Sequence, residues 1–272
     1  MDVRQRNNVN VIGDGPRTMI FSHGFGCDQT MWRFLTDSFA SQYRVILYDL
    51  VGCGGSDLAA YDRNKYGSLA GYADDLSEII EEFAVGPVFF VGHSVSAMIG
   101  VLADAKRSSI AAHLMVGPSP CYINDGDYIG GFTKADIDSL LETLESNYLG
   151  WSSTMAPAIM GAPDKPELGD ELTNSFCRTD PDIAKHFARV TFLSDNRADV
   201  ASITSPALIL QCSDDLIAPL EVGDFLHRTM PGSVLRIIDN IGHCPHLSEP
   251  AASIEAMKEF IAMLDSRSDE LS

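Results

Sequence analysis

The sequence predicts an α/β fold in which a mostly parallel, twisted sheet alternates with helices and is interrupted once by a helical insertion. Three observations predict it: short apolar runs recur along the chain, amphipathic segments separate them, and one long stretch has helical periodicity without strand signals. Short apolar runs are typical of strands that a parallel sheet buries on both faces. Their alternation with helices is typical of doubly wound sheets.

The composition is that of a globular chain with a large core. Of its 272 residues, 45% are hydrophobic and 21% are charged, which excludes a disordered chain. The net charge is −19, from 19 basic and 38 acidic residues. Such a surface repels polyanions, so we expect no nucleic-acid partner and no binding to an anionic membrane.

The N-terminal sequence and the cysteines predict a cytoplasmic location. The first residues lack the apolar region of a secretory signal, and no apolar run is long enough to span a bilayer. The six cysteines are scattered and form no C-x-x-C pair, so they suggest neither a zinc ribbon nor a redox motif. Reduced thiols in the cytoplasm are the simplest interpretation.

Seven segments have strand signals. Residues 8–12 alternate polar and apolar side chains, as a half-buried edge strand does. The other six are apolar runs at residues 19–22, 45–48, 88–91, 114–116, 207–210 and 234–238. Apolar residues recur on one helical face between residues 72 and 83 and again between 254 and 264.

The strand pattern stops between residues 121 and 199. Helical periodicity there begins with Ile137, Leu140, Leu141, Leu144 and Tyr148, with Thr133 as the expected N-cap. Further helical segments follow at about 147–160, 171–177 and 181–194. We therefore predict a core domain of residues 1–120 and 200–272 and a helical lid of residues 121–199 over one sheet edge. An added packing layer without a gating role is the alternative.

The segment after the fourth predicted strand carries the strongest chemical signal. The strand leads into Gly92-His93-Ser94-Val95-Ser96, and a helix rich in small residues follows. This strand–turn–helix context is that of a nucleophile elbow, in which a strained turn exposes a serine hydroxyl at the edge of the sheet. The last position of the motif is usually glycine, whereas here it is Ser96, which is still small enough for the turn.

A serine nucleophile needs a base and an acid that orients the base. In this architecture the chain order is serine, acid, histidine. Asp214 and Asp215 follow the strand at 207–210, and His243 and His246 follow the strand at 234–238. We prefer Asp215 for its spacing to the following proline, and His243 because it follows a glycine. His246 is then expected to be a packing residue.

The remaining parts of the site come from loops and from the insertion. Backbone amides of Phe25 and Val95 are expected to form an oxyanion hole, because residues 22–26 are a glycine-rich loop directly after a strand. No metal-ligand spacing links the other histidines, and we expect neither metal nor cofactor. The residues expected to line the substrate pocket are Phe25, Tyr122, Phe132, Leu140, Trp151, Met155, Phe192 and Ile217.

These features resemble a known family, the RsbQ-like α/β-hydrolases, which are related to the plant karrikin and strigolactone receptors. The matching segments are HGFGCDQ at 23–29, VILYDLVG at 45–52, GHSVSAMIG at 92–100, GPSPCYIND at 117–125, GGF at 130–132, NYxxW at 147–151, ILQC at 209–212 and GHCPH at 242–246. The resemblance covers nearly the whole chain. It implies an α/β-hydrolase fold with a four-helix lid over a hydrophobic pocket, and a triad of Ser94, Asp215 and His243.

The resemblance also implies a role in signalling. RsbQ-like proteins act upstream of a PAS-containing serine phosphatase in a bacterial stress response, and the plant relatives sense butenolide hormones. Cys121, Cys212 and Cys244 resemble the bacterial members, whereas Ser96 resembles the plant receptors, so the resemblance does not specify a partner.

The sequence thus predicts a serine hydrolase that cleaves a small hydrophobic ester or lactone in the service of stress or small-molecule signalling. The alternative is a ligand sensor with slow turnover that acts through lid rearrangement and a protein partner. A third interpretation, cofactor-free haloperoxidase or carbon–carbon hydrolase chemistry, has no support among the lid residues.

Overall fold

The computed structural model describes residues 2–107 and 110–270. Within these residues seven strands form one sheet. The strands are β1 (Asn10–Ile12), β2 (Arg17–Ser22), β3 (Tyr43–Tyr48), β4 (Val88–His93), β5 (Ile110–Val116), β6 (Ala207–Asp214) and β7 (Val234–Ile241). Their order across the sheet is β1-β3-β2-β4-β5-β6-β7. Strand β1 pairs antiparallel with β3 at one edge, and the other pairs are parallel.

Eleven helices are found in the described part of the chain. They are α1 (Val3–Arg6), α2 (Leu69–Phe83), α3 (Val95–Arg107), α4 (Lys134–Ser146), α5 (Tyr148–Met160), α6 (Pro166–Arg178), α7 (Pro181–Phe192), α8 (Arg197–Val200), α9 (Leu220–Thr229), α10 (Pro245–Ser248) and α11 (Pro250–Glu270). Short 3-10 turns lie at Gln29–Trp32, Thr36–Ser38, Leu58–Ala60 and Lys65–Gly67. All seven predicted strands and the predicted helices are present, which confirms the α/β fold class.

The sheet separates two hydrophobic cores because successive side chains of a strand point to opposite faces. In β2, Met19 and Phe21 pack on one face and Ile20 on the other, and all three are completely buried. Such double burial explains the continuous apolar runs. Helices on both sides cover the two faces.

The segment between β5 and β6 is helical, and its described residues form isolated β-bridges but no strand. Helix α4 starts at the predicted N-cap: Thr133 accepts from the Asp136 amide, and the Asp136 carboxylate accepts from the Thr133 amide. The expected continuation of this helix to Tyr148 is wrong. Asn147 leaves helical geometry, and its side chain accepts a hydrogen bond from the Gly150 amide, so it ends α4 and starts α5.

No helix in residues 2–107 or 110–270 is both long and apolar enough to cross a bilayer. All six cysteines are free thiols, and Cys177 alone among them is exposed.

Candidate active site

Ser94 stands at the turn between β4 and α3, near the centre of the sheet. Its φ of +55° is one of three positive values at non-glycine residues in the described chain. Such a conformation is strained for a residue with a Cβ, and strain of this kind concentrates at functional sites. Gly92 makes the crossing possible, because a Cβ there would lie 2.8 Å from the Ala97 amide nitrogen. The predicted nucleophile-elbow geometry is therefore present.

The His243 ring lies between the Ser94 hydroxyl and the Asp215 carboxylate. Its Nε2 is 2.8 Å from Ser94 Oγ, and its Nδ1 is 2.7 Å from Asp215 Oδ2. The three residues are buried, with exposed fractions of 6%, 8% and 3% for Ser94, Asp215 and His243. The structure thus brings together three side chains that are distant in the sequence.

The loop after β6 holds Asp215 as a hydrogen-bond acceptor. Its Oδ1 accepts from the backbone amides of Ile217 at 2.8 Å and Ala218 at 3.2 Å. An ionised carboxylate can only accept, so His243 Nδ1 donates to it, and in the neutral form of the imidazole Nε2 then carries the lone pair that accepts from the Ser94 hydroxyl. The neighbouring Asp214 side chain is exposed and is not in this network.

The loop after β2 places the Phe25 amide beside the elbow. The Gly24 carbonyl accepts from His23 Nδ1 at 2.9 Å and from the Cys27 amide at 3.3 Å. In a trans peptide the following N–H points the opposite way, so the Phe25 amide faces away from those donors. Within the described residues neither this amide nor that of Val95, the first residue of α3, has a hydrogen-bond acceptor.

A narrow cavity lies beside the triad, with Phe25, Ser94 and His243 among its lining residues. Four of the predicted pocket residues line it, namely Phe25, Tyr122, Phe192 and Ile217. Its walls are mainly apolar, as in most small-molecule sites. A larger groove between α7 and the start of α2 contains no triad residue.

Two hydroxyls interrupt the apolar wall. Tyr122 Oη and Thr191 Oγ1 are buried and have no hydrogen-bond partner in the described structure. Burial raises the pKa of Tyr122 to about 12, while the neighbouring Ser94 hydroxyl opposes that shift. Unpaired buried hydroxyls are costly, and a ligand with polar atoms can satisfy them.

The expectation that Phe132, Leu140, Trp151 and Met155 line the cavity is not met, because none of them is among its lining residues. Trp151 lies one layer further out: it stacks on Phe176 with ring centroids 5.7 Å apart and meets Phe25 edge-on at 6.2 Å. The other three are partly buried against the same core. They support the wall rather than form its surface.

Other lining residues were missed from the sequence: Cys27, His93, Ile159, Leu172, Phe176, Thr191 and Cys244. Leu168, Leu172 and Phe176 recur every four residues, so the inward face of α6 could have been found from its periodicity. Thr191 had no such signal, because a single threonine near the end of a helix does not indicate which way its side chain faces.

The histidines next to the triad are packed and neutral. His93 Nε2 donates to the His243 carbonyl at 2.9 Å, and its ring lies 4.5 Å from that of His246. Burial lowers the pKa of His246 to about 3 and also lowers the pKa of His93. In the described chain His93, Cys244 and His246 form the one group with three potential metal-ligating atoms, within 4.8 Å of one another. His93 Nε2 already donates to a carbonyl, so this histidine could ligate a metal only through Nδ1.

Comparisons with known proteins agree with this geometry. The model of the α/β-hydrolase family matches residues 19–256. The chain is 37% identical over 261 residues to karrikin insensitive 2 receptor CA of Petunia hybrida, covering 95% of this chain and 97% of that receptor. It is 36% identical over 246 residues to strigolactone esterase D14 of Arabidopsis thaliana, covering 90% and 92%.

A solved structure of a hydrolase from Oleispira antarctica superposes with a TM-score of 0.93 at 42% identity, over 96% of each chain. These matches confirm the resemblance to the karrikin and strigolactone receptors that the sequence motifs predict. The chain therefore belongs to the α/β-hydrolase family.

Proposed function

We propose that this protein is a serine hydrolase that cleaves a small hydrophobic ester or lactone. The observation that carries the proposal is the uninterrupted hydrogen-bond relay from Ser94 through His243 to Asp215, located at the wall of an apolar cavity. A serine hydroxyl next to a neutral imidazole with a free lone pair is an activated nucleophile.

In the proposed reaction Ser94 Oγ attacks the carbonyl carbon, and its proton passes to His243 Nε2. The bond from carbon to the alkoxy oxygen then breaks, and His243 returns the proton to that oxygen. In a lactone the released hydroxyl stays attached to the acyl group. Water next attacks the acyl-serine with His243 as base, which releases the acid and restores Ser94.

The Phe25 and Val95 amides would hold the negative oxygen of the tetrahedral intermediates. Support comes from their lack of any other acceptor and from the start of α3 at Val95, where the helix dipole favours negative charge. Loss of one such donor typically lowers kcat by about 10²–10³-fold.

The cavity indicates the class of substrate. Its apolar wall favours a hydrophobic molecule, and the unpaired hydroxyls of Tyr122 and Thr191 favour one with a polar atom besides the scissile carbonyl. Two of the related proteins are described as an esterase and a probable esterase of plants. The predicted lid of residues 121–199 would exclude water from this cavity.

A cytoplasmic location remains our interpretation of the free thiols.

Hydrolysis of a panel of p-nitrophenyl esters and simple butenolides tests the proposal. We expect wild type to hydrolyse short acyl esters and Ser94→Ala to lose at least about 10³-fold in kcat. Ser77→Ala is the control, because the Ser77 hydroxyl bonds to a carbonyl within α2, remote from the cavity. Equal rates for wild type and Ser94→Ala would reject Ser94 as nucleophile.

A ligand sensor is the second candidate, and one observation favours it. The Phe25 ring, from the core, meets the rings of Trp151, Phe176, Phe187 and Phe192, which belong to three helices of the insertion. A ligand that displaced Phe25 would therefore move the insertion. Affinity capture from a native extract with and without a butenolide tests this idea, because a sensor should capture a protein only when the ligand is present. The PAS-containing phosphatase remains a prediction from the resemblance alone.

A further inference from the structure

A chain of three buried hydroxyls ends at the loop that carries the Phe25 amide. Tyr48 Oη lies 2.8 Å from Ser22 Oγ, Ser22 Oγ donates to Ser96 Oγ at 2.9 Å, and Ser96 Oγ donates to the His23 carbonyl at 2.5 Å. Each hydroxyl has one proton to donate, so Tyr48 is the donor to Ser22. Chains of this kind strengthen each bond by polarisation.

All members of this chain are shielded from water. Tyr48, Ser22, Ser96 and His23 are each 0% exposed. Burial raises the pKa of Tyr48 well above its usual value, so the phenol stays protonated and remains a donor. The last bond therefore has no competing water and a fixed direction.

Two hydrogen bonds orient the two peptide groups that precede the Phe25 side chain, one from the Ser96 hydroxyl and one from the His23 ring. Ser96 holds the carbonyl of the peptide between His23 and Gly24. The His23 ring holds the carbonyl of the peptide between Gly24 and Phe25, because its Nε2 accepts from the Leu50 amide and Nδ1 is thus left to donate. Together they fix the direction of the Phe25 amide.

Ser96 also lies beside the other proposed oxyanion donor, since it follows Val95 in α3. The Gly24 backbone packs directly over the elbow, where an added Cβ would lie 3.3 Å from Ser94 Cβ. The hydroxyl of Ser96 therefore joins the loop that carries the Phe25 amide to the start of α3, which carries the Val95 amide. Both amides must donate to the same substrate oxygen. Glycine, the usual residue at this position of the motif, has no atom that could make this bond.

We propose that Ser96 is a positioning residue that aligns the Phe25 amide with the Val95 amide in the oxyanion hole. This inference rests on the proposed hydrolase function. Ser96 touches no reacting atom. The aligned amides stabilise the transition state more than the bound ester, because negative charge develops on the oxygen in the transition state whereas the ester carbonyl is nearly neutral.

The test compares wild type with Ser96→Ala, Ser96→Gly and Ser22→Ala. Ser253→Ala is the matched control, because Ser253 of α11 is also completely buried and donates to a backbone carbonyl, that of Glu249, and neither residue lines the cavity. The measurements are kcat and KM for p-nitrophenyl butyrate, the inhibition constant of phenylboronic acid, whose adduct with serine is tetrahedral, and the melting temperature.

Both Ser96 variants should lose about tenfold in kcat, less than the loss of a whole oxyanion donor, with KM within about twofold. Phenylboronic acid should bind more weakly by a similar factor. Ser22→Ala should show a smaller loss in the same direction, because Ser96 keeps its bond to His23. Ser253→Ala should leave kcat, KM and the inhibition constant of phenylboronic acid unchanged, whatever its melting temperature.

Folded Ser96 variants with the kcat and boronate affinity of wild type would overturn the proposal, even if they melt at a lower temperature. If Ser96→Ala does not fold, Ser96→Gly and Ser22→Ala decide the question. Equal activity of wild type and Ser94→Ala would reject Ser94 as the nucleophile of the proposed hydrolase, and the positioning role of Ser96 with it. Loss at Ser94→Ala with unchanged Ser96 variants would reject the positioning role alone.

Discussion

The backbone amide of His243 donates a hydrogen bond to the Ile159 carbonyl at 2.8 Å. Ile159 belongs to α5 of the insertion, and its side chain lines the cavity. A second bond joins the same segments, from the Ala162 amide to the Ile241 carbonyl at 3.2 Å. The end of α5 and the loop that carries His243 are thus paired, so a displacement of α5 would be transmitted to the imidazole.

Gly161→Ala should break this pairing. Gly161 has a φ of +70°, and a Cβ there would lie 2.1 Å from the Ile241 carbonyl oxygen. We expect a loss of activity of at least about tenfold and a loss of about 2 kcal/mol or more in the free energy of unfolding. Steady-state kinetics and urea unfolding measure the two effects.

Gly232→Ala is the control for that substitution. Its φ is +78°, but a Cβ would meet nothing within 4 Å. The backbone strain is thus similar while the contact is absent, and we expect a loss of about 1 kcal/mol in stability with normal kcat. Equal effects of the two variants on kcat would contradict a role of α5 in positioning His243.

Asp215→Asn should disable the imidazole while the fold survives. An amide at this position no longer requires the proton on Nδ1 of His243, so the tautomer with a free Nε2 lone pair is lost, and kcat should fall by about 10³–10⁴-fold. Asp214→Asn, one residue earlier on an exposed side chain, should retain activity within about twofold. Normal activity of Asp215→Asn together with a large loss in Asp214→Asn would assign the acid of the triad to Asp214.

Removal of the hydroxyl of Tyr122 and removal of that of Tyr128 should affect the free energy of unfolding differently. Tyr122 Oη has no partner in the described structure, whereas Tyr128 Oη donates to the Cys121 carbonyl at 2.7 Å. Tyr122→Phe should therefore leave the free energy of unfolding unchanged or raise it by about 1 kcal/mol, while Tyr128→Phe should lower it by about 1 kcal/mol. Urea denaturation of both variants is the measurement, and a larger loss at residue 122 would show a bond that the structure lacks.

His246 should make the protein sensitive to acid. In the unfolded chain a histidine gains its proton near pH 6.5, but in the folded protein burial lowers the pKa of His246 to about 3. The unfolded state thus binds more protons below pH 6.5, and stability falls as the pH falls, by about 1.4 kcal/mol per pH unit. The loss levels off below about pH 3.

Unfolding of wild type and His246→Leu at pH 7.5 and pH 5.0 measures this contribution. Burial is the largest cause of the lowered pKa of His93 and should persist in the variant, so most of the difference between the two proteins should come from His246. Wild type should lose about 2 kcal/mol more than the variant between the two pH values. The same pH dependence in both proteins would show that the folded state admits the proton.

The fold was predictable because its signals are local. The short apolar runs before Ser94 and Asp215 are typical of strands buried on both faces, and parallel strands that end at one edge bring the following loops together. The choice of Asp215 over Asp214 and of His243 over His246 followed from spacing. Geometry agrees with it, because the side chains of the two rejected residues point elsewhere.

The lining of the cavity was not predictable to the same degree, because it depends on how helices pack rather than on where they lie in the sequence. Trp151 is on the inward face of α5, yet Phe176 of α6 lies between it and the cavity. Ser96 looked like a tolerated departure from the motif. Its bond to the His23 carbonyl joins residues 73 positions apart, so no local pattern could reveal it.

The most direct test of the account is intact-protein and peptide mass spectrometry after an acid quench of the enzyme with excess p-nitrophenyl acetate. An acyl-enzyme on Ser94 is the intermediate that the relay of Ser94, His243 and Asp215 requires. We expect acetylation of the peptide that contains Ser94 in wild type and its absence in Ser94→Ala. Ester hydrolysis by wild type with no acyl group on Ser94, or acylation that persists at another residue in Ser94→Ala with full activity, would contradict the account.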